Sequence, residues 1–187
     1  LVEAMPAVIG AIPRARLFII GEGPMKETLA ARVRELELDR AVTVIGSIGE
    51  IMPKLYSTAD VVVHPERTPS MPLDVAEAQA TATPVVATEV GAVPELMRHE
   101  ETGLLVPPAS PPELGRAIRF VLEDEERRLA MGDAARDFIL SIYELGRTAD
   151  KYVELWQNLA PDALWQSTDS IPVEELEEEE EEELGRA

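Results

Sequence analysis

The chain of 187 residues carries 17 lysines and arginines against 36 aspartates and glutamates, a formal net charge of -19, with 45% apolar residues, no cysteine and two histidines. There is no basic stripe of the kind nucleic-acid binders use, no disulfide or thiolate metal site, and little support for a histidine-based zinc site, since His64 and His99 lie far apart in sequence. No apolar run approaches the roughly 20 residues that cross a bilayer, the length suits one domain with a core of its own, and a cysteine-free composition agrees with a cytoplasmic location.

Leu1 to about Gly10 reads as the end of a helix, with Leu1, Ala4, Met5 and Val8 along one side. Arg16 to Gly21 is an apolar strand that closes in Gly21, Glu22, Gly23 and Pro24. Such a turn lets backbone approach a ligand closely, or simply reverses the chain. Met25 to Leu38 follows as a helix with Leu29, Val33 and Leu36 inward. Val42 to Gly46 is the next strand, leading into the turn Gly46, Ser47 and Ile48. Ile51 to Ala59 is a short helix whose Leu55, Tyr56 and Ala59 can pack. Asp60 to Pro65 is a strand with His64 at its end. As a base His64 would need an orienting partner, and none is readable from the sequence.

The stretch from Thr68 to Gly91 organises the rest. It predicts a loop, a short helix with Ser70 as N-cap and Pro72 in its first turn, and then the strand Pro84 to Thr88. Leu73, Val75, Ala76 and Ala80 supply the helix's apolar face. A helix that begins where a buried strand ends aims unpaired N–H groups and the positive end of its dipole into the crevice above the sheet, where anions bind. Glu77 comes about one and a half turns in, within reach of a pair of sugar hydroxyls, although most helix-borne glutamates are simply solvated. Asp74 lies three residues earlier on nearly the same face, an unfavourable place for a second carboxylate near an anion. A metal bridging the two would need further oxygen ligands.

Beyond it, Val93 to His99 is a short helix with Glu95 in its first turn, and Gly103 to Pro107 is the last strand. Pro111 to Leu122 is a helix opened by Ser110, with Leu114, Ala117, Ile118, Val121 and Leu122 buried. Glu125 to Tyr143 and Glu144 to Leu159 are further helices, the last with Tyr152, Leu155 and Trp156 as packing anchors. Residues 1–160 thus form the folded domain. Residues 161–187, where Glu174, Glu175 and Glu177 to Glu183 hold much of the negative charge, form a disordered acidic tail. Strands alternating with helices imply parallel βαβ units, with ligands beyond the carboxyl ends of the strands.

The motifs also appear in a particular order: Leu17-Phe-Ile-Ile-Gly-Glu-Gly-Pro24, Val42-Thr-Val-Ile-Gly46, Ala59-Asp-Val-Val-Val-His-Pro65, Met71-Pro-Leu73, Glu77-Ala78, Thr83-Pro-Val-Val-Ala-Thr88, Gly91-Ala-Val-Pro-Glu95 and Thr102-Gly-Leu-Leu-Val-Pro-Pro108. Over Leu1 to about Tyr152 this order resembles the C-terminal, donor-binding domain of the retaining GT-B glycosyltransferases of the group 1 family. The resemblance implies an α/β fold with a Rossmann-like parallel sheet, flanking helices and further C-terminal helices. It also implies that the sequence is a piece of a longer parent whose first strand is missing, the vacant place lying between the Leu17 and Val61 strands.

As donor the resemblance implies a nucleotide diphosphate sugar, transferred with retention, with no metal or other cofactor required because helix dipole and basic side chains stabilise the leaving diphosphate. The backbone around Ser70, Met71, Pro72 and Leu73 would meet the diphosphate and sugar, and Glu77 the ribose hydroxyls. The turn Gly46, Ser47 and Ile48 would meet the base, with the Gly21 and Gly23 turn close by. The acceptor would be held mainly by the absent N-terminal half, the parent could associate peripherally with a membrane, and the piece alone would be inactive. Three positions depart from the pattern. Pro69 stands where the family has the first glutamate of a pair, Ser70 where a glycine follows it, and Ala82 where a glycine precedes Thr83-Pro84. No catalytic residue is therefore assigned, and Glu66 is the nearest substitute carboxylate. The alternative function is a degenerate, non-catalytic binding or regulatory module. A sugar-nucleotide epimerase fits the sheet but not the motif string.

Overall fold

A computed structural model of the chain describes residues 1–69 and 71–159; Ser70 and the acidic tail lie outside the described residues. The chain divides into two compact units, Leu1–Glu144 and Leu145–Ala187.

In the first unit a 3-10 turn at Val2–Ala4 runs into α1 (Met5–Ala11), followed by β1 (Leu17–Ile20), α2 (Lys26–Glu35), β2 (Val42–Ile45), α3 (Met52–Thr58) and β3 (Val62–His64). Then come α4 (Leu73–Ala80), β4 (Val85–Thr88), α5 (Val93–Leu96), β5 (Gly103–Val106), α6 (Pro111–Leu122) and α7 (Glu125–Tyr143). All strand pairings are parallel. Leu17 lies opposite Val42 in the pair β1-β2, and β3-β4-β5 form a second sheet with Val62 opposite Val85 and Val85 opposite Gly103.

The two sheets are separate ladders among the described residues. The ladder breaks between β1 and β3, and among the described residues no strand pairs with the remaining edge of either. Both strands are correspondingly half-covered, whereas β4, flanked on both sides, is buried at every position. That is the environment in which an uninterrupted apolar run is stable in a parallel sheet. One core still joins the two sheets, with Val8, Val33 and Val42 packed together with Val86, Val106 and Ile118.

The helices that carry the candidate site rest on a second cluster. Val75 and Ala78 of α4, Tyr56 of α3, Val85 of β4 and Ile139 of α7 pack together. Gln79 is buried beside them and donates its side-chain amide to the Leu96 carbonyl at 2.8 Å. The turn after α4 is clamped by α7. Ala82 sits there with φ of 58°, the left-handed conformation that costs a non-glycine residue about 1–2 kcal/mol. Gly132 of α7 approaches it so closely that a Cβ there would collide with the Ala82 carbonyl, and Arg136 donates to the Ala80 carbonyl. The Asp124 carboxylate caps α7 by accepting from the Arg127 N–H at 3.0 Å.

Two expectations about α4 require correction. Pro72, not Ser70, occupies the N-cap position and offers no side-chain bond to the helix. Leu73, expected to pack inward, is 59% exposed, because the buried face of this short helix is set by Val75, Ala78 and Gln79. Ala59 is likewise exposed at the end of α3.

The second unit is described over α8 (Leu145–Leu159), which buries none of its residues. The expected anchors Tyr152, Leu155 and Trp156 are exposed, as are Leu145 and Leu159. The Tyr152 and Trp156 rings lie 5.9 Å apart, one helical turn from each other. Among the described residues no helix is long and apolar enough to cross a membrane.

Candidate functional site

Because every strand runs the same way, the expected site residues fall at carboxyl ends of strands, in two groups. At the ends of β1 and β2, Gly21 extends the ladder by donating to the Ile45 carbonyl at 3.2 Å. This brings the Gly21 to Gly23 turn beside the Gly46, Ser47 and Ile48 turn. Gly21 and Gly23 have φ of 143° and 157°, and a Cβ on either would meet open space. Gly46 is different. The Glu22 carboxylate lies directly over it, with Lys26 bonded to that carboxylate at 3.3 Å, and a Cβ at 46 would have to displace it. Ser47 is exposed and Ile48 half-buried.

The second group surrounds the end of β3 and the start of α4. Met71 and Leu73 expose apolar side chains to solvent beside buried Pro72. Of the backbone donors expected to meet a diphosphate, Pro72 has no N–H, and that of Leu73 is turned onto the Met71 carbonyl at 3.0 Å. An anion seated here has to displace that bond. Glu77, in the second turn of α4, is exposed, and its negative charge acts on the Tyr56 hydroxyl nearby. Burial first, then the charges of Glu77 and Asp74, push the Tyr56 hydroxyl up to about 12, so at neutral pH it stays a donor. The carboxylate thus lies near a phenol donor while remaining open to solvent.

Sequence reasoning left His64 without a partner, and the structure supplies one. Its Nδ1 lies 2.7 Å from Asp74 Oδ2, so the carboxylate that looked awkward beside Glu77 is engaged by an imidazole. Glu66, the candidate substitute for the motif carboxylate, has its Oε2 3.9 Å from His64 Nε2, and the Thr88 hydroxyl donates to its carbonyl. Burial depresses His64, but the hydrogen bond to Asp74 and the charges of Asp74 and Glu66 outweigh that and leave it above its ordinary value. No sequence signal could have found this contact, because the partners are ten residues apart across a loop. Nor could any have found Tyr56 near Glu77, which lie on different helices. Asp74 has a protein partner in His64, and among the described residues no cluster of three or more His, Cys, Asp or Glu side chains could hold a metal ion.

Parallel strands with flanking helices and glycine turns at the strand ends define a Rossmann-like α/β class of domain. The comparisons with known proteins narrow it. The family described as "Glycosyl transferases group 1" matches residues 1–138, and the chain belongs to that family. It is 32% identical over 162 residues to the GDP-mannose-dependent alpha-(1-6)-phosphatidylinositol monomannoside mannosyltransferase of Mycobacterium tuberculosis, a match covering 82% of this chain and 42% of that protein. Among solved structures it is similar to sucrose-phosphate synthase from Thermosynechococcus elongatus, with a TM-score of 0.73 and 30% identity over 87% of this chain and 43% of that one. It is also similar to the C-terminal domain of a glycosyl transferase group 1 family protein from Francisella tularensis, with a TM-score of 0.71 and 27% identity over 77% of each chain. The chain therefore spans about two fifths of the length of the curated relatives it matches.

Proposed function

We infer that the chain is the donor-binding part of a glycosyltransferase that transfers a sugar from a nucleotide diphosphate sugar to an acceptor with retention of configuration. The observation that carries this reading is the Glu77 carboxylate, near the Tyr56 hydroxyl and open to solvent, in the second turn of a helix that follows the carboxyl end of a parallel strand. A carboxylate placed this way accepts both hydroxyls of a ribose through its two oxygens, in charge-assisted hydrogen bonds. The start of α4 offers the positive end of its dipole to the diphosphate, and engagement of Asp74 by His64 removes part of the opposing charge. The Gly46 to Ile48 turn, beside the Gly21 and Gly23 turn, receives the base. The family membership and the donor printed in the name of the mycobacterial relative support the same assignment.

Transfer itself draws on charge stabilisation of the leaving diphosphate, with no cofactor beyond the donor. The acceptor falls to parts of a longer parent chain, so that the 187 residues alone bind donor without turnover. Cytoplasmic placement belongs to the same proposal.

Calorimetric titration with GDP- and UDP-sugars tests the reading. Saturable binding with at least one of them is expected, and no heat of binding with either series overturns it. Pro69, in the place of the family's first glutamate, favours a second reading, a non-catalytic module of the same fold. That reading predicts donor binding without transfer in any longer chain that contains this one.

A further inference from the structure

His64 is 4% exposed at the end of β3, and its two ring nitrogens have unequal surroundings. Nδ1 is bonded to Asp74 of α4's first turn at 2.7 Å. Nε2 is buried with no hydrogen-bond partner, and the nearest acidic oxygen is Glu66 Oε2 at 3.9 Å. In the neutral ring, with its proton on Nδ1 for Asp74, Nε2 is a buried acceptor with nothing to accept from, an arrangement that is costly. In the imidazolium the same atom carries a donor and part of a positive charge at ion-pair distance from a carboxylate, which favours the charged ring.

The backbone is braced for this. The Thr88 hydroxyl of β4 lies within bonding distance of the carbonyls of both His64 and Glu66, at 3.3 and 2.5 Å, which fixes the chain on either side of Pro65. The charged groups that face the ring are Asp74 from α4 and Glu66 from the segment after β3, while β4 brings only Ala87 and Thr88, both neutral. The charges of Glu77 and Asp74 both act on the Tyr56 hydroxyl.

We propose that His64 is a positioning residue: as an imidazolium shared by Asp74 and Glu66 it pins the first turn of α4 to the end of β3 and so sets the geometry in which an anionic donor is received. The role in donor binding rests on the function inferred above; the pinning itself does not. Because the pinned arrangement holds its proton more tightly than a free imidazole, its stabilisation is complete below about pH 6.5. It is lost as pH rises through the raised value.

The test is an NMR titration of the 187-residue chain labelled with 15N-histidine, where His64→Gln assigns the two ring systems, alongside donor titrations from pH 5.5 to 8. A nucleoside diphosphate sugar suits this as probe because its diphosphate charge stays constant over that range and its base N–H begins to titrate only above about pH 8, so affinities are compared up to pH 8. The expected results are a His64 midpoint above 6.5 with Nδ1 protonated throughout, and a midpoint below 6.5 in Asp74→Asn, where burial acts with less opposition. Donor affinity should fall across the His64 midpoint, no more steeply than about tenfold per pH unit for one proton, and be flat in Asp74→Asn. Asp74 is partly exposed, so this variant keeps the test decisive if His64→Gln fails to fold. A midpoint at or below 6.5 that Asp74→Asn leaves unmoved overturns the proposal, as does a pH-independent affinity in the wild type. Absence of donor binding at every pH with the expected midpoints upholds the pinning and overturns the functional reading alone.

Discussion

Ala82 carries a side chain where the backbone is left-handed. Ala82→Gly relieves about 1–2 kcal/mol of strain and returns part of it through the freer unfolded chain, so a rise in melting temperature of about 1–4 °C is expected in a thermal melt; a lower melting temperature contradicts the assigned conformation. The hydroxyl of Thr83, next along, donates to the Tyr56 carbonyl at 2.7 Å inside the protein. Thr83→Val removes one of that carbonyl's two donors, leaving the Ala59 N–H at 3.1 Å, and should cost about 0.5–1.5 kcal/mol in chemical denaturation. At this scale the sequence was informative where chemistry repeats in a motif. Glu77 and the odd residue at 82 could both be named beforehand, because their neighbours spell a recognisable order. The partners that make Glu77 useful could not be named. Tyr56 reads only as an apolar position in a short helix, and Asp74 reads as a liability until the fold brings His64 to it.

Close approach of α7 to the turn after α4 makes Gly132 an element-level constraint. Its missing side chain leaves room for the Ala82 carbonyl, a backbone atom that cannot step aside. Gly132→Ala should cost about 1–3 kcal/mol or more. Gly10→Ala in α1, where a Cβ meets nothing, should gain about 0.5–1 kcal/mol. Urea midpoints of the two variants moving in the same direction would contradict this packing. Element boundaries were legible where a stop signal is chemical. Ser110 marks the start of α6, and both α6 and α7 span the expected residues. The start of α4 was misplaced because two prolines and a serine in sequence offer several N-caps, and the choice is made by burial of Val75 and Ala78 rather than by local capping.

For the whole molecule, the interrupted sheet has a measurable consequence. Leu17 and Gly21 donate to β2 through Ala41 and Ile45, so by the two-residue alternation of a strand the Phe18 and Ile20 amides point to the other edge. Val62 donates to Pro84 on the β4 side, and the Val63 amide points away. Hydrogen exchange should be fast at Phe18, Ile20 and Val63 and slow at Val86, and equal protection at all four would mean the vacancy is filled. The parallel α/β class was legible from alternating apolar strands and amphipathic helices. The fate of the vacant position was not, because pairing depends on which strands are present together.

The donor assignment turns on the Glu77 carboxylate meeting the hydroxyl pair of a ribose. Calorimetric affinities of wild type and Glu77→Ala for a nucleoside diphosphate sugar and for its 2′,3′-dideoxyribose counterpart test it most directly. A hydrogen bond to a charged group is worth about 1.5–3 kcal/mol. The wild type should therefore prefer the ribose form by about 10- to 100-fold, and Glu77→Ala should bind both forms with nearly the weaker affinity. Equal preference for ribose in the two proteins would contradict the claim.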